Sequence, residues 1–178
     1  PVFIELGLQT IHENTAQYIR RGYPLSVFTQ AVYALAEHNI PVVVHIILGL
    51  PGESRETVLR TIDYLNRLPI QGVKLQLLHV LSDSDLADLY HAGEYTPLEK
   101  EEYLTLVGDC IAHLRADIVL HRLTGDGDKN TLLAPLWSLR KRDVLNRLHH
   151  YLKENHIRQG MSCKIDRSVI YNKPKDVL

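Results

Sequence analysis

Four stretches of this sequence set polar, chemistry-bearing side chains into otherwise apolar runs. The most apolar of them, Val42-Val43-Val44-His45-Ile46-Ile47-Leu48, carries one histidine and breaks into Gly49-Leu50-Pro51-Gly52-Glu53 ahead of Ser54. Side chains of an extended chain alternate between faces, so Glu5, Gly7 and Gln9 share one face of a first strand. His45, Ile47 and Gly49 share a face of the second, Lys74, Gln76 and Leu78 of the third, and His121 or Arg122 extends the row on a fourth. Burying one such group without a partner costs roughly 2 to 7 kcal/mol, so a row of them is tolerated only if its members pair with one another or meet a polar ligand. The spacing predicts a ligand cavity in which Glu5 and Lys74 balance each other's charge while Gln9 and His45 address the ligand. A self-satisfied ion-pair network is the alternative.

The elements that position this row follow from punctuation and periodicity. A strand as apolar as 42–48 is expected to be covered on both faces, as in a parallel sheet wrapped by helices, where ligands collect at the carboxyl ends of the strands. The first strand runs from about Val2 to Gln9, followed by a short helix capped by Asn14 or Thr15, running toward Arg21 and stopped by Gly22. Pro24 to His38 reads as an amphipathic helix with Val27, Ala31 and Leu35 on one face, and Pro41 introduces the second strand. Ser54 caps a helix to about Arg67 with Val58, Ile62 and Leu65 inward, and Val73 to Val80 forms the third strand. Leu86 to Ala92 is a short helix ended by Gly93, Pro97 opens a long helix to about Arg115, and Ile118 to Leu123 is the fourth strand. After the polar loop Thr124-Gly125-Asp126-Gly127-Asp128, a final helix spans Ser138 to about Glu154, and the tail 161–178 looks weakly ordered. Strands alternating with helices argue for an α/β fold with a parallel sheet, closed or open.

Composition narrows the function. Twenty basic and twenty-one acidic residues give a net charge of -1, so no global field recruits nucleic acid or an anionic membrane, and any RNA contact must be local. No apolar run approaches the ~20 residues of a membrane helix, which points to a cytoplasmic protein without membrane contact. Cys110 and Cys163 are too far apart for a local metal knuckle and too few for a disulfide framework, so no metal site is expected. Pro1 opens directly on a strand-like run and Met161 is the only methionine, from which the chain is expected to be a piece of a longer polypeptide.

In combination, Glu5-Leu6-Gly7-Leu8-Gln9, Arg20-Arg21-Gly22-Tyr23, the segment Ile46 to Glu53 and Lys74 to Val80 resemble the radical SAM superfamily. The likeness is to its oxygen-independent coproporphyrinogen oxidase-like and Elongator-like bacterial group. His121 to Asp126, Pro135-Leu136-Trp137-Ser138 and Val144-Leu145-Asn146 are similar to that group's C-terminal part. The resemblance implies the later strands of a partial (β/α)6 TIM-type barrel over 1–123, followed by a loop and helical extension over 124–160. It further implies S-adenosylmethionine and a [4Fe-4S] cluster in the parent enzyme, which forms a 5′-deoxyadenosyl radical. By the same resemblance Gln9 contacts S-adenosylmethionine, Arg21 reaches its carboxylate, Ile47 packs on adenine, and the backbone at Leu78 and His79 reads the adenine edge. Gly49 lets the ligand approach the backbone. His45 stands where relatives carry an acidic residue or glycine, while Glu5, Lys74, Gln76, His121 and Arg122 line the substrate cavity. The family's CxxxCxxC loop is absent, and Cys110 and Cys163 cannot replace its three thiolates. The piece alone is therefore expected to be inactive.

The group also makes tRNA, through a wobble uridine, the expected partner, with the Arg/Lys/His-rich final helix suited to phosphate contacts. Two other readings are a barrel lyase or aldolase using Lys74 as a Schiff-base amine, and a non-catalytic RNA-binding module. The apolar edge Val2 to Leu8 is expected to promote dimerisation.

Overall fold

Strand β1 (Ile4–Gln9) pairs in parallel with β2 (Val42–Leu48), β2 with β3 (Gly72–Leu77), and β3 with β5 (Val119–Arg122). These pairings belong to a computed structural model that describes residues 2–165. Spatial order follows chain order, β1-β2-β3-β5, so each crossover turns the same way. Right-handed crossovers then place the intervening helices on one side of the sheet, as in a barrel wall and unlike a doubly wound sheet. Helices α1 (Glu13–Tyr18) and α2 (Leu25–Glu37) follow β1, and α3 (Arg55–Leu65) follows β2. Helices α4 (Asp85–His91) and α5 (Lys100–His113) precede β5, and α6 (Lys141–Glu154) closes the described chain against α5.

The core lies between the helices and the outward positions of the strands. Val42, Val44, Ile46, Leu48, Val73, Leu75 and Leu77 are buried with Phe28, Val32, Val58, Ile62, Tyr103 and Val107. Among the described residues the cover expected on both faces is found on this face only. The opposite face displays the polar row, with Glu5 exposed and His45, Lys74 and Gln76 half-buried. Of the two candidates on the fourth strand, His121 joins that face. A β-bulge between β3 and β5 shifts the register there, and the His121 ring lies across Gly72, where a Cβ would sit 2.5 Å from it. Arg122 instead pairs with Asp126 at 3.3 Å.

Several local expectations are corrected. His12, not Asn14 or Thr15, occupies the N-cap of α1, and α1 ends at Tyr18, four residues before Gly22. Val27 is exposed, because α2 turns Phe28, Val32 and Tyr33 inward. Pro97 does not open α5. Glu99 does, through a capping box with Glu102. The third strand ends at Leu77, and Val80–Leu81 leaves it as β4 to pair antiparallel with β6 (Leu132–Ala134), inside a stretch expected to be loop. Ser138 belongs to a separate 3-10 turn, Leu136–Leu139, ahead of α6. Ser54 caps α3 as expected, accepting from the Thr57 N–H at 3.4 Å. The expected tail falls largely outside the described residues. Within its first part the Ser162 N–H donates to the Ala112 carbonyl at 2.8 Å.

Candidate functional site

On the open face Glu5 is the hub. Its Oε2 accepts from Lys74 Nζ at 2.6 Å and lies 2.6 Å from His45 Nε2, while the Gln76 amide nitrogen lies 3.3 Å from His45 Nδ1. If Gln76 donates to Nδ1, the ring proton sits on Nε2 and points at Glu5, which makes a consistent set for a neutral imidazole. The hydrogen bond from Lys74, helped by His45, holds the Glu5 carboxyl below the ordinary carboxylate range, against a smaller upward push from burial. Glu5 and Lys74 thus balance each other as the alternation predicts, but His45 joins them rather than standing free. Lys74 donates to Glu5, so a Schiff-base role would first have to break this ion pair.

The carboxyl-end rim is built from tight backbone. Gln9 ends β1 at φ 59, and its side chain folds back over Gly7, where a Cβ would lie 2.5 Å from the amide. In the orientation that satisfies the amide, its nitrogen donates to the Gly7 and Leu8 carbonyls at 3.0 and 3.1 Å. Arg21, its side chain 1% exposed, donates to the carbonyls of Thr10 at 2.7 Å, Leu8 at 3.3 Å and Tyr23 at 2.9 Å, and pairs with Glu13 at 3.2 Å. Ile47 is half-buried on the face of His45. Gly49 takes φ 89, a conformation that favours glycine, with Leu98 3.2 Å from where a Cβ would be. The Leu78 N–H donates to the Leu48 carbonyl at 3.0 Å, continuing the β2–β3 ladder past its formal end. His79 turns beneath the 124–127 loop. A Cβ on Gly125 would meet its ring at 2.5 Å, its Nε2 is buried without a hydrogen-bond partner, and burial lowers its pKa.

Three rim contacts escaped the sequence reading. Thr10 is fully buried and donates through Oγ1 to Glu53 at 2.5 Å, tying the end of β1 to the Gly-Leu-Pro-Gly-Glu turn. Tyr95 donates its hydroxyl to the Gly49 carbonyl at 2.9 Å, and burial pushes its pKa up to about 12. The Tyr23 hydroxyl donates to the Gly7 carbonyl. Thr10 could have been noticed as a polar residue directly after the strand, and Tyr23 stands in the Arg20-Arg21-Gly22-Tyr23 run with no role given to it there, whereas nothing local marks Tyr95.

With this wall and rim in place, the comparisons with known proteins are decisive. Residues 1–65 match the model of the radical SAM superfamily and residues 70–154 match that of the radical SAM C-terminal domain. The chain belongs to the radical SAM superfamily. YtqA of Bacillus subtilis (strain 168) is 35% identical over 89% of this radical SAM chain and 49% of its own length. YhcC of Escherichia coli (strain K12) is 32% identical over 86% of the chain and 50% of its own. The chain therefore spans about half the length of the curated relatives it matches. A tRNA uridine(34) acetyltransferase of Methanocaldococcus jannaschii is 23% identical over 92% of this chain and 30% of its own length. The structure of Methanocaldococcus infernus Elp3 with an N-terminal deletion superposes with a TM-score of 0.76 at 18% identity, covering 89% of this chain and 37% of that one, which shows a shared fold.

The superfamily implies S-adenosylmethionine and a [4Fe-4S] cluster. These residues do not fit the cluster. Cys110 is buried in α5 with its thiol pushed strongly upward by desolvation, and Cys163 lies beside the C-terminal end of α5, on the far side of the sheet from the rim. Among the described residues no three His, Cys, Asp or Glu side chains converge on a metal-sized site. For S-adenosylmethionine the fit is partial: His79 keeps an unpaired buried nitrogen, while Leu98 fills the space beside Gly49 and Arg21 is already engaged by carbonyls. Among the described residues no helix is long and apolar enough to cross a membrane.

Proposed function

We propose that this chain is the later part of the barrel, with its C-terminal extension, of a cytoplasmic radical SAM enzyme that modifies a wobble uridine of tRNA. The observation that carries this reading is the consecutive match of residues 1–65 and 70–154 to the two radical SAM models, on a singly wound sheet whose polar face is left open. The similarity to tRNA uridine(34) acetyltransferases supports the RNA part. In this superfamily the bound cofactors supply a 5′-deoxyadenosyl radical. The cluster's thiolates would come from chain outside these residues, so the piece alone is inactive.

What the chain itself contributes is a wall and a rim. Gln9, Arg21, His45, Ile47, Gly49, Leu78 and His79 border the cofactor, with Arg21 holding the rim backbone in register as well. Glu5, Lys74 and Gln76 present a fixed, charge-balanced surface to the substrate, with His121 at its edge. On α6, Arg142, His149 and Lys153 lie exposed along one helical stripe, while Arg147 pairs with Glu101 and Glu154 and the His150 ring lies against Glu154. That stripe suits phosphate contacts.

The test is anaerobic reconstitution of the full-length gene product with iron, sulfide, a reductant and S-adenosylmethionine. Formation of 5′-deoxyadenosine that rises with added tRNA is expected, together with a CxxxCxxC motif encoded upstream. An upstream frame without those cysteines, or no 5′-deoxyadenosine after reconstitution, overturns the radical reading.

A further inference from the structure

Above the carboxyl ends of β1, β2 and β3 lies a cleft of about 420 Å³, walled by Tyr18 and Ile19 from α1 and its exit and by Leu86 and Leu89 from α4, with Pro51 and Leu78 alongside. The walls are apolar, and the charged groups lining it are Arg20 and Asp85. This size is in the range of small-ligand sites, roughly 300 to 1,000 Å³. Tyr18 is 55% exposed, which leaves its ring face open to a stacking partner.

The end of α1 explains how the cleft acquires its charge. The Arg21 N–H bonds to the Ala16 carbonyl at 2.9 Å and the Arg20 N–H to the Gln17 carbonyl at 3.0 Å, the paired bonds of a Schellman ending. The left-handed position of that motif normally holds glycine, yet here Arg20 occupies it at φ 56, with a glycine available two residues later. Asn39 after α2 and His156 after α6 end their helices in the same way, at φ 55 and 52, so what sets Arg20 apart is where its side chain points. The twist also separates two adjacent arginines. Arg21 turns inward with 1% of its side chain exposed, and Arg20 turns into the cleft with 79% exposed. Among the described residues Asp85 is the partner of Arg20, and that pair, open to water on both sides, contributes little and exchanges readily. A phosphate would offer Arg20 a stronger, bidentate partner.

We propose that this cleft binds a nucleotide of the RNA substrate, its base stacked on Tyr18 between the apolar walls and its phosphate taken by Arg20 in exchange for Asp85. The assignment rests on the tRNA reading above and specifies where the reactive nucleotide enters. Arg20 acts as the phosphate clamp, Tyr18 as the base platform, and Asp85 as the competitor that keeps Arg20 poised when no RNA is bound.

The experiment measures binding of a fluorescent anticodon stem–loop RNA with a wobble uridine to the full-length gene product and its variants. Tyr18→Ala and Arg20→Ala should each weaken binding, the former by about 5- to 150-fold, the span of one lost base–aromatic stack. Tyr18→Phe should retain affinity, and Asp85→Ala should tighten it by up to about fivefold, which a merely structural role would not produce. If the RNA binds but Tyr18→Ala and Arg20→Ala bind it as the natural protein does, the cleft is misassigned and the tRNA reading stands. If the natural protein does not bind the RNA, both fall together. If excess S-adenosylhomocysteine displaces the RNA competitively, the cleft belongs to the cofactor and the proposal is overturned.

Discussion

Replacing Arg115 with alanine should unfold this protein more readily than any change in the polar wall. Arg115 is 5% exposed and gathers the loops that lead into β3 and β5. Its guanidinium donates to the Asn66 carbonyl at 2.8 Å, to those of Leu68 and Ile70 at 3.5 and 3.4 Å, and to Asp117 at 2.8 Å. Its own N–H donates to Asn66 Oδ1 at 2.8 Å, and Gln159 donates to its carbonyl at 2.8 Å. Truncation removes the guanidinium bonds together and leaves buried carbonyls without donors. Bonds to charged groups are worth roughly 1.5 to 3 kcal/mol each but do not add, and removing one partner from a buried ionic cluster costs about 3 to 5 kcal/mol. For a chain of this size that corresponds to a fall in Tm of roughly 6 to 20 °C. Calorimetry checks it, with Arg115→Lys as the companion that keeps the charge and loses the fork and should fall between. Because the cluster sits at the amino-terminal side of the sheet, RNA affinity well below the melting transition should be unchanged. A loss under about 1 kcal/mol for Arg115→Ala would show that the loops find other donors, and the reasoning would fail.

The other predictions concern the wall, the loop and the edge. Lys74→Met removes the main cause of the low Glu5 pKa, so the carboxyl titration followed by carbon NMR should move up toward 4.5, with a stability change under about 1 kcal/mol because Glu5 is 37% exposed. An unmoved Glu5 would mean that His45 dominates. His79 has its pKa lowered below 6.5 by burial, so as pH falls below that value the unfolded chain takes up the proton first and stability drops. His79→Gln should flatten that drop in denaturant titrations, and an identical pH profile would contradict the buried, unpaired ring. Strand β1 is an edge of the sheet, with Val2 and Phe3 exposed beside it, and light scattering of this chain should show dimers that Phe3→Lys disperses. A monodisperse unsubstituted monomer would refute edge pairing.

What could be read from the sequence depended on whether the deciding contact was periodic. The β2 run and its neighbours were legible because β structure repeats every two residues, so each strand offers one polar face wherever it ends, and the parallel register brings Glu5, His45, Lys74 and Gln76 together around one carboxylate. Between His121 and Arg122 that rule could not choose, because a single bulge resets the alternation and only the space left by Gly72 settles the matter. The rim was less legible for the same physical reason. Arg21 is buried because its guanidinium meets carbonyls exposed where β1 ends and the chain turns, and Tyr95 reaches Gly49 because the loop between α4 and α5 lands on the turn after β2. Neither contact has a period, and both join residues whose approach is set by the fold. The β4–β6 pair is the limiting case: two and three residues, far apart in the chain, paired only because the α4 region and the 124–131 loop bring them together. A wall of regular strands can thus be inferred from spacing, whereas the rim that surrounds a ligand is made of turns, and its chemistry is fixed only once the turns have been placed.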